Sequence, residues 1–191
     1  KDIFGWVREF RLHDAATPIV LMGYMNPVEI HGAVRFAREA VEAGVDGILL
    51  VDCPIEEIDA VAALRDAGLQ QILLAAPTAT DDRLRQIGDA AQGFLYYVSF
   101  AGITGADRLS MDEVRMKMAV IKRHVVVPVA VGFGVRDAAT AAAIGEFADA
   151  VVMGSALVER LAGSVDGAEA CMRARTFLAP IRAALDGRTM E

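Results

Sequence analysis

Apolar residues fall along the 191-residue chain in short dense runs, separated by longer stretches with helical spacing. Six runs have the length of a buried strand: 18–24, 47–52, 71–75, 93–98, 128–132 and 148–153. Most are rich in Val, Ile and Leu without strict polar alternation, which is the pattern of strands covered on both faces, as in a parallel sheet. Between them, 29–43 is the clearest helical stretch. There Ile30, Val34, Phe36, Ala37 and Val41 form an apolar stripe against Glu29, Arg35, Arg38, Glu39 and Glu42, and Gly44 follows as a C-cap glycine. The stretch 56–67 ends at Gly68 in the same way, and 80–90 opens on Thr80-Asp81-Asp82, a cluster suited to an N-cap. Segments 111–124, 137–147, 156–161 and 168–185 complete the helical pattern.

Strand–helix alternation at roughly 25–30 residues per unit implies repeated right-handed βαβ crossovers and a parallel sheet. No Gly/Ser linker or charge run interrupts the rhythm, so residues 1–191 are expected to form a single domain. A doubly wound sheet would carry G-x-G-x-x-G after its first strand, and none occurs there. The α/β class is therefore expected to be a (β/α)8 TIM barrel. Such barrels have eight strands in about 250 residues. Six strands in 191 residues fit one lacking roughly its first two βα units.

Composition narrows the partners. Lys and Arg number 19 against 26 Asp and Glu, a net charge of -7 with no basic cluster, which disfavours nucleic acid. No apolar run approaches the roughly 20 residues of a membrane-spanning helix. KDIFGWVREF lacks the apolar core of a signal peptide, and two cysteines, Cys53 and Cys171, cannot make a disulfide framework. The expected location is the cytoplasm.

Glycines cluster after the last three strands. Ser99-Phe100-Ala101-Gly102-Ile103-Thr104-Gly105 follows the fourth run, Gly132-Phe133-Gly134-Val135 the fifth, and Gly154-Ser155-Ala156 the sixth. Glycine admits close backbone approach, and the free N–H groups of a helix start favour an anion. Barrel enzymes commonly hold phosphate with the loops after strands seven and eight. Three such turns at successive strand ends point to a phosphorylated small molecule, whereas any one alone would be a tight turn. Asp52 is the only carboxylate at the very end of a strand run, either a group at the barrel mouth or an anchor for nearby N–H groups. His13, His31 and His124 are too far apart for a metal site, so none is expected. Cys171 and the methionines read as packing, and Lys1, Arg8 and Arg11 as a solvated face.

The strings PIVLMGYMNP, GVDGILLVDCP, LLAAPTATDDR, GFLYYVSFAGITGA, PVAVGFGV and ADAVVMGSALV run in order from about Thr17 to Leu161 and resemble the tryptophan synthase alpha chain. The resemblance implies a barrel lyase of tryptophan biosynthesis that cleaves indole-3-glycerol phosphate to indole and glyceraldehyde 3-phosphate. It implies no cofactor in this chain, and an alpha2-beta2 assembly with a beta chain that carries PLP. Carried over, Gly105, Gly134, Gly154 and Ser155 would hold the phosphate. Tyr96 would lie beside the substrate, while Thr104 and Asp52 would face each other across the mouth. Met22, Leu49, Val51, Leu74 and Phe133 would form the indole slot. Tyr24, Asn26 and Pro54 would lie on loops facing the beta chain.

The family's principal carboxylates sit with a Pro-Phe-Ser-Asp-Pro string that these 191 residues do not contain. That leaves two alternatives: a non-catalytic partner of the beta chain, or another phosphate-binding barrel such as indole-3-glycerol-phosphate synthase.

Overall fold

The computed structural model describes residues 2–99, 110–132 and 134–187. It is an α/β protein with parallel strand pairing among the described residues. The chain divides into two compact units, one of Lys1–Ala75, Thr80–Leu95 and Val125–Val127, the other of Ala76–Ala79, Tyr96–His124 and Pro128–Glu191.

The first unit contains α1 (Ile3–Arg11), β1 (Val20–Gly23), α2 (Met25–His31), α3 (Ala33–Ala43) and β2 (Gly47–Leu50). A 3-10 turn, Ile55–Val61, leads into α4 (Ala62–Asp66), β3 (Gln70–Gln71), β4 (Leu73–Ala75) and α5 (Asp81–Ala90). The strands order as β1-β2-β3, with Val20 opposite Gly47 and Gly23 opposite Leu50. Every residue of β2 is buried, as expected of a central strand covered on both faces. Its core joins Ile48 and Leu50 to Phe4, Val7, Met25, Val28 and Leu64.

Two helical expectations need correction. The stretch 29–43 is not one helix, because Gly32 stands at φ 87 and ψ 113, ending α2 and starting α3 in a conformation that strains any side-chain-bearing residue. Only part of its apolar stripe faces inward: Ala37 is buried and Phe36 packs on the core, but Ile30, Val34 and Val41 are exposed, and α3 buries Ala40 and Ala43 beside Ala37. Small residues let α3 lie close to α1, while Phe36 packs edge-on against Phe4 at 5.2 Å. The segment 56–67 likewise resolves into the 3-10 turn and short α4.

Arg11 also departs from expectation. Its guanidinium is largely buried, and it donates to Gly44 O at 2.9 Å, Thr17 O at 2.7 Å and Asp46 Oδ2 at 2.6 Å. Asp46 Oδ2 accepts a second bond from the Ile19 N–H at 2.6 Å, pinning the start of β1 to the start of β2.

The second unit holds β5 (Leu95–Val98, from Tyr96 on), α6 (Met111–Ile121), β6 (Val129–Gly132), α7 (Ala138–Gly145), β7 (Ala150–Val152), α8 (Ser155–Leu161) and α9 (Gly167–Asp186). β5, β6 and β7 lie side by side in that order, with Ala130 opposite Ala150 and Gly132 opposite Val152. Side chains cap these helices as their residue types dictate: Ser110 and Glu113 form a capping box on α6, Asp137 caps α7 and Asp166 caps α9. In α5 the cap is Thr80, and Asp81 and Asp82 fill the first turn. No helix among the described residues is long and apolar enough to cross a membrane.

The pin at Asp46 has a counterpart. Asp149, just before β7, accepts from the Val129 N–H and from Lys122 Nζ, each at 2.9 Å. Burial opposes its ionisation, but these bonds and the Lys122 charge outweigh it and hold the carboxyl below its usual range. A depressed carboxylate contributes stability above its unfolded pKa and loses it as the pH falls through the folded one. Asp149→Asn is therefore expected to flatten the fall in the urea midpoint between about pH 5 and pH 2. An unchanged acid limb would contradict this role.

Candidate active site

In the first unit, Met22 and Leu49 are direct partners across β1 and β2, so their side chains share one face of the sheet. Val51, two residues beyond Leu49, continues that row. Leu49 is buried, whereas Met22 is 63% exposed, so of the core or pocket places expected for the methionines it does not take the first. Asp52 stands two residues past Leu50, and Met25 two past its partner Gly23. Their levels match, and Asp52 Oδ1 accepts the Met25 N–H at 2.8 Å. Tyr24 offers α2 no side-chain cap, so Asp52 caps that helix from the neighbouring strand end. The anchoring role weighed for Asp52 is thus observed.

Asp52, Val51, Leu74 and Pro54 come together around a cleft of about 230 Å³, closed on one side by Arg83 and Ile87. Arg83 is paired with Glu56. Cys53 also lines the cleft. Burial, then the charges of Glu57 and Asp52, push its thiol pKa up, so it stays protonated and is a poor nucleophile. Cys171, expected in packing, is exposed. Tyr24, Asn26 and Pro54 are exposed as a surface role requires, but Asn26 lies in the first turn of α2 and not on a loop. Proline at the third position of α2 lacks an N–H that a helix start leaves unpaired anyway, which is why the turn can close so early.

In the second unit, Tyr96 is half-buried on β5, and burial raises its phenol pKa. Its ring lies against the backbone of Gly132. A Cβ at Gly132 would come within 2.5 Å of the Tyr96 hydroxyl and 2.8 Å of Cε2, so glycine there makes the seat for the phenol. Ser99, 1% exposed, donates to the carbonyl of the same Gly132 from Oγ at 2.7 Å and from its N–H at 3.2 Å. Sequence patterning gave Ser99 no role. The available signal was a serine closing one strand run beside a glycine closing the next.

Beyond the paired residues Gly132 and Val152, the two chains turn at equal distance. Gly134 lies two residues past one and Gly154 two past the other. Gly134 adopts φ 60, and Gly154 precedes α8 with no side chain capping that helix. No atom lies within 4 Å of a Cβ built on Gly154, and Ser155, the first residue of α8, is exposed. Thr104, Gly105 and Phe133 lie outside the described residues. A larger hollow of about 910 Å³ in this unit, lined by Arg136, Arg160, Met172 and Phe177, contains none of the expected site residues.

Tyr97 alternates with Tyr96 and is fully buried, its hydroxyl without a hydrogen-bond partner among the described residues. Burial, then the Glu113 charge, pushes its pKa up to about 12. Removing a buried unpaired hydroxyl relieves a desolvation penalty, so Tyr97→Phe is expected to stabilise the chain by about 1 kcal/mol in a urea melt. A loss of stability would mean that the hydroxyl is paired outside the described residues.

Among the described residues no group of three His, Cys, Asp or Glu could hold a metal ion. His31 instead bonds Glu39 at 2.8 Å and packs edge-on to Phe36.

Known proteins carry the same fold. A family model described as tryptophan synthase alpha chain matches residues 1–184. The tryptophan synthase alpha chain of Cupriavidus pinatubonensis is 52% identical over 186 residues, covering 97% of this chain and 70% of that protein. That of Xylella fastidiosa strain M12 is 53% identical over 178 residues, covering 93% and 66%. The chain thus spans about two thirds of the length of such relatives. The solved tryptophan synthase alpha subunit of Legionella pneumophila matches with a TM-score of 0.87 at 37% identity, over 97% of this chain and 69% of that one. A chain from the tryptophan synthase a2b2 complex of Pyrococcus furiosus matches with a TM-score of 0.82 at 38% identity, over 94% and 72%. By sequence and by fold, this chain belongs to the tryptophan synthase alpha chain family.

Proposed function

We propose that residues 1–191 supply the phosphate seat and much of the apolar slot of a lyase that cleaves indole-3-glycerol phosphate to indole and glyceraldehyde 3-phosphate. On this reading the six strand runs are the third to eighth of a single (β/α)8 barrel domain. The observation that carries it is the pair of glycine turns, Gly134 and Gly154–Ser155, leaving β6 and β7 at matched levels. Backbone N–H groups at Gly134, Gly154 and Ser155, with those of Gly105, would bind the phosphate. Met22, Leu49, Val51 and Leu74, with Phe133, would receive the indole ring, and Tyr96 would lie beside it. Thr104 would close on the mouth from the side opposite Asp52.

Cleavage breaks the bond between the indole ring carbon and the glycerol chain. The ring carbon gains a proton, and a side-chain hydroxyl loses one as it becomes the aldehyde. A positioned carboxyl group suits both transfers. Asp52 is already committed to the Met25 N–H, so its proposed role is to hold α2 and the cleft in place. The chemistry would rest on the carboxylates of the family's Pro-Phe-Ser-Asp-Pro segment. The chain itself needs no cofactor on this reading. Exposed Tyr24, Asn26 and Pro54 would face a beta chain that carries PLP, in an assembly like the a2b2 complex known from Pyrococcus furiosus.

The test is to measure indole release from indole-3-glycerol phosphate by the folded 191-residue chain, together with binding of the same substrate. Binding without indole release is the expected result. Release of indole would transfer the acid to a residue present here, Asp52 first. Absence of binding would overturn the reading.

A further inference from the structure

We infer that Ser99 is a positioning residue for the glycine turn after β6, acting through the Gly132 carbonyl on both Tyr96 and Gly134. This rests on the reading of Gly134 as part of a phosphate seat only for its functional consequence; the positioning itself stands on geometry.

A strand-end carbonyl normally accepts one ladder bond and is free to tilt about it. The Gly132 carbonyl instead accepts two donors from one residue, the Ser99 N–H at 3.2 Å and its Oγ–H at 2.7 Å. The shorter of these is the side-chain bond, and Ser99 is 1% exposed, so water does not compete for it. Two donors hold the Gly132 carbonyl oxygen where one would leave it freer. Two residues on, Gly134 adopts φ 60, and that sets the direction of the turn.

The same glycine carries the second consequence. Its Cα side is occupied by the Tyr96 phenol, close enough that a Cβ would strike the ring. A displacement of Gly132 therefore moves the surface on which Tyr96 rests. β5 contributes both partners: Tyr96 contacts Gly132 from within the strand and Ser99 holds its carbonyl just past the strand end. One residue of β6 is gripped from two positions on its neighbour. Ser99 touches no expected substrate group, so it positions and does not itself bind.

The hydroxyl can be removed without stripping the carbonyl, because the Ser99 N–H bond remains. Ser99→Ala is therefore expected to fold, and Ser99→Thr keeps the hydroxyl. The measurement is made on the 191-residue chain without ligand, then with inorganic phosphate. It follows the Gly134 amide resonance and the pH titration of the Tyr96 phenol. Ser99→Ala is expected to shift the Gly134 amide, to move the Tyr96 titration toward the ordinary tyrosine value, and to weaken phosphate binding about three- to tenfold, the worth of one buried hydrogen bond. Ser99→Thr should restore all three.

A Ser99→Ala chain whose Gly134 amide and Tyr96 titration match the parent overturns the inference, whatever phosphate does. If both change but the parent binds no phosphate, the positioning role stands and the phosphate seat fails. If Ser99→Thr fails to fold, Ser99→Cys, close in size but a weak donor, should behave like Ser99→Ala, and parent-like behaviour overturns the inference.

Discussion

Gly132→Ala is expected to destabilise the chain by about 1–3 kcal/mol, the usual cost of forcing an extra carbon into a packed site. Alanine is ordinarily the better strand residue, since glycine loses more backbone freedom on folding. The sign reverses here because the new Cβ would lie 2.5 Å from the Tyr96 hydroxyl, 2.8 Å from Cε2 and 3.0 Å from Cζ. Those are the far atoms of a side chain, so the phenol is displaced before the backbone is. The three nearest atoms all belong to Tyr96, which makes the clash separable. Tyr96→Ala alone costs packing, yet in the double variant the two losses should fall short of their sum by at least about 1 kcal/mol. Urea melts of the four chains measure this directly. Strict additivity would show that Gly132 is needed for something other than the phenol.

Asp46→Ala is expected to cost about 2 kcal/mol, in the range for losing a charge-assisted bond and leaving its partner stranded. Two effects combine. The Ile19 N–H loses its acceptor, although the Asp46 and Gly47 N–H groups still donate to the Ile19 carbonyl, and Arg11 loses its carboxylate. The ion pair is the smaller part, since Asp46 is half exposed and solvent screens it. Arg11 is not, with its side chain 17% exposed and its remaining bonds going to carbonyls. Asp46→Asn keeps an oxygen for Ile19 and should lose roughly half as much in a urea melt. Equal losses from the two variants would place the whole effect on the charge.

The strands were legible because a run such as Gly47–Leu50, buried on both faces, leaves no polar position for any other reading. Only Ile72, between β3 and β4, interrupts an expected strand. The α3 face was misread because side-chain size is a poor guide when a helix packs on alanines. Ala37, Ala40 and Ala43 carry less hydrophobicity than Val34 and Val41 but allow closer approach. Gly32 looked like an ordinary helix interior position, since a left-handed break has no periodic signature. Arg11 was assigned to solvent by its charge alone; the carbonyls that bury it come from Asp14, Thr17 and Gly44. At the candidate site, Asp52, Val51 and Leu74 were found through family motifs and do meet at one cleft. Ser99 escaped because its acceptor is a backbone atom 33 residues away, and side-chain spacing says nothing about carbonyls.

Asp46, Asp52 and Asp149 each reach only to the adjacent strand's end, across separations of 27, 27 and 20 residues. The entropy of closing such loops rises only with the logarithm of length, so these three closures differ by a few tenths of a kcal/mol at most. Strand register can therefore be chosen locally, one βα step at a time, before any distant ends meet. A chain built this way is expected to acquire its pairings step by step, each at a similar entropic cost. The aspartates are then as much instructions for assembly as they are props of the finished sheet.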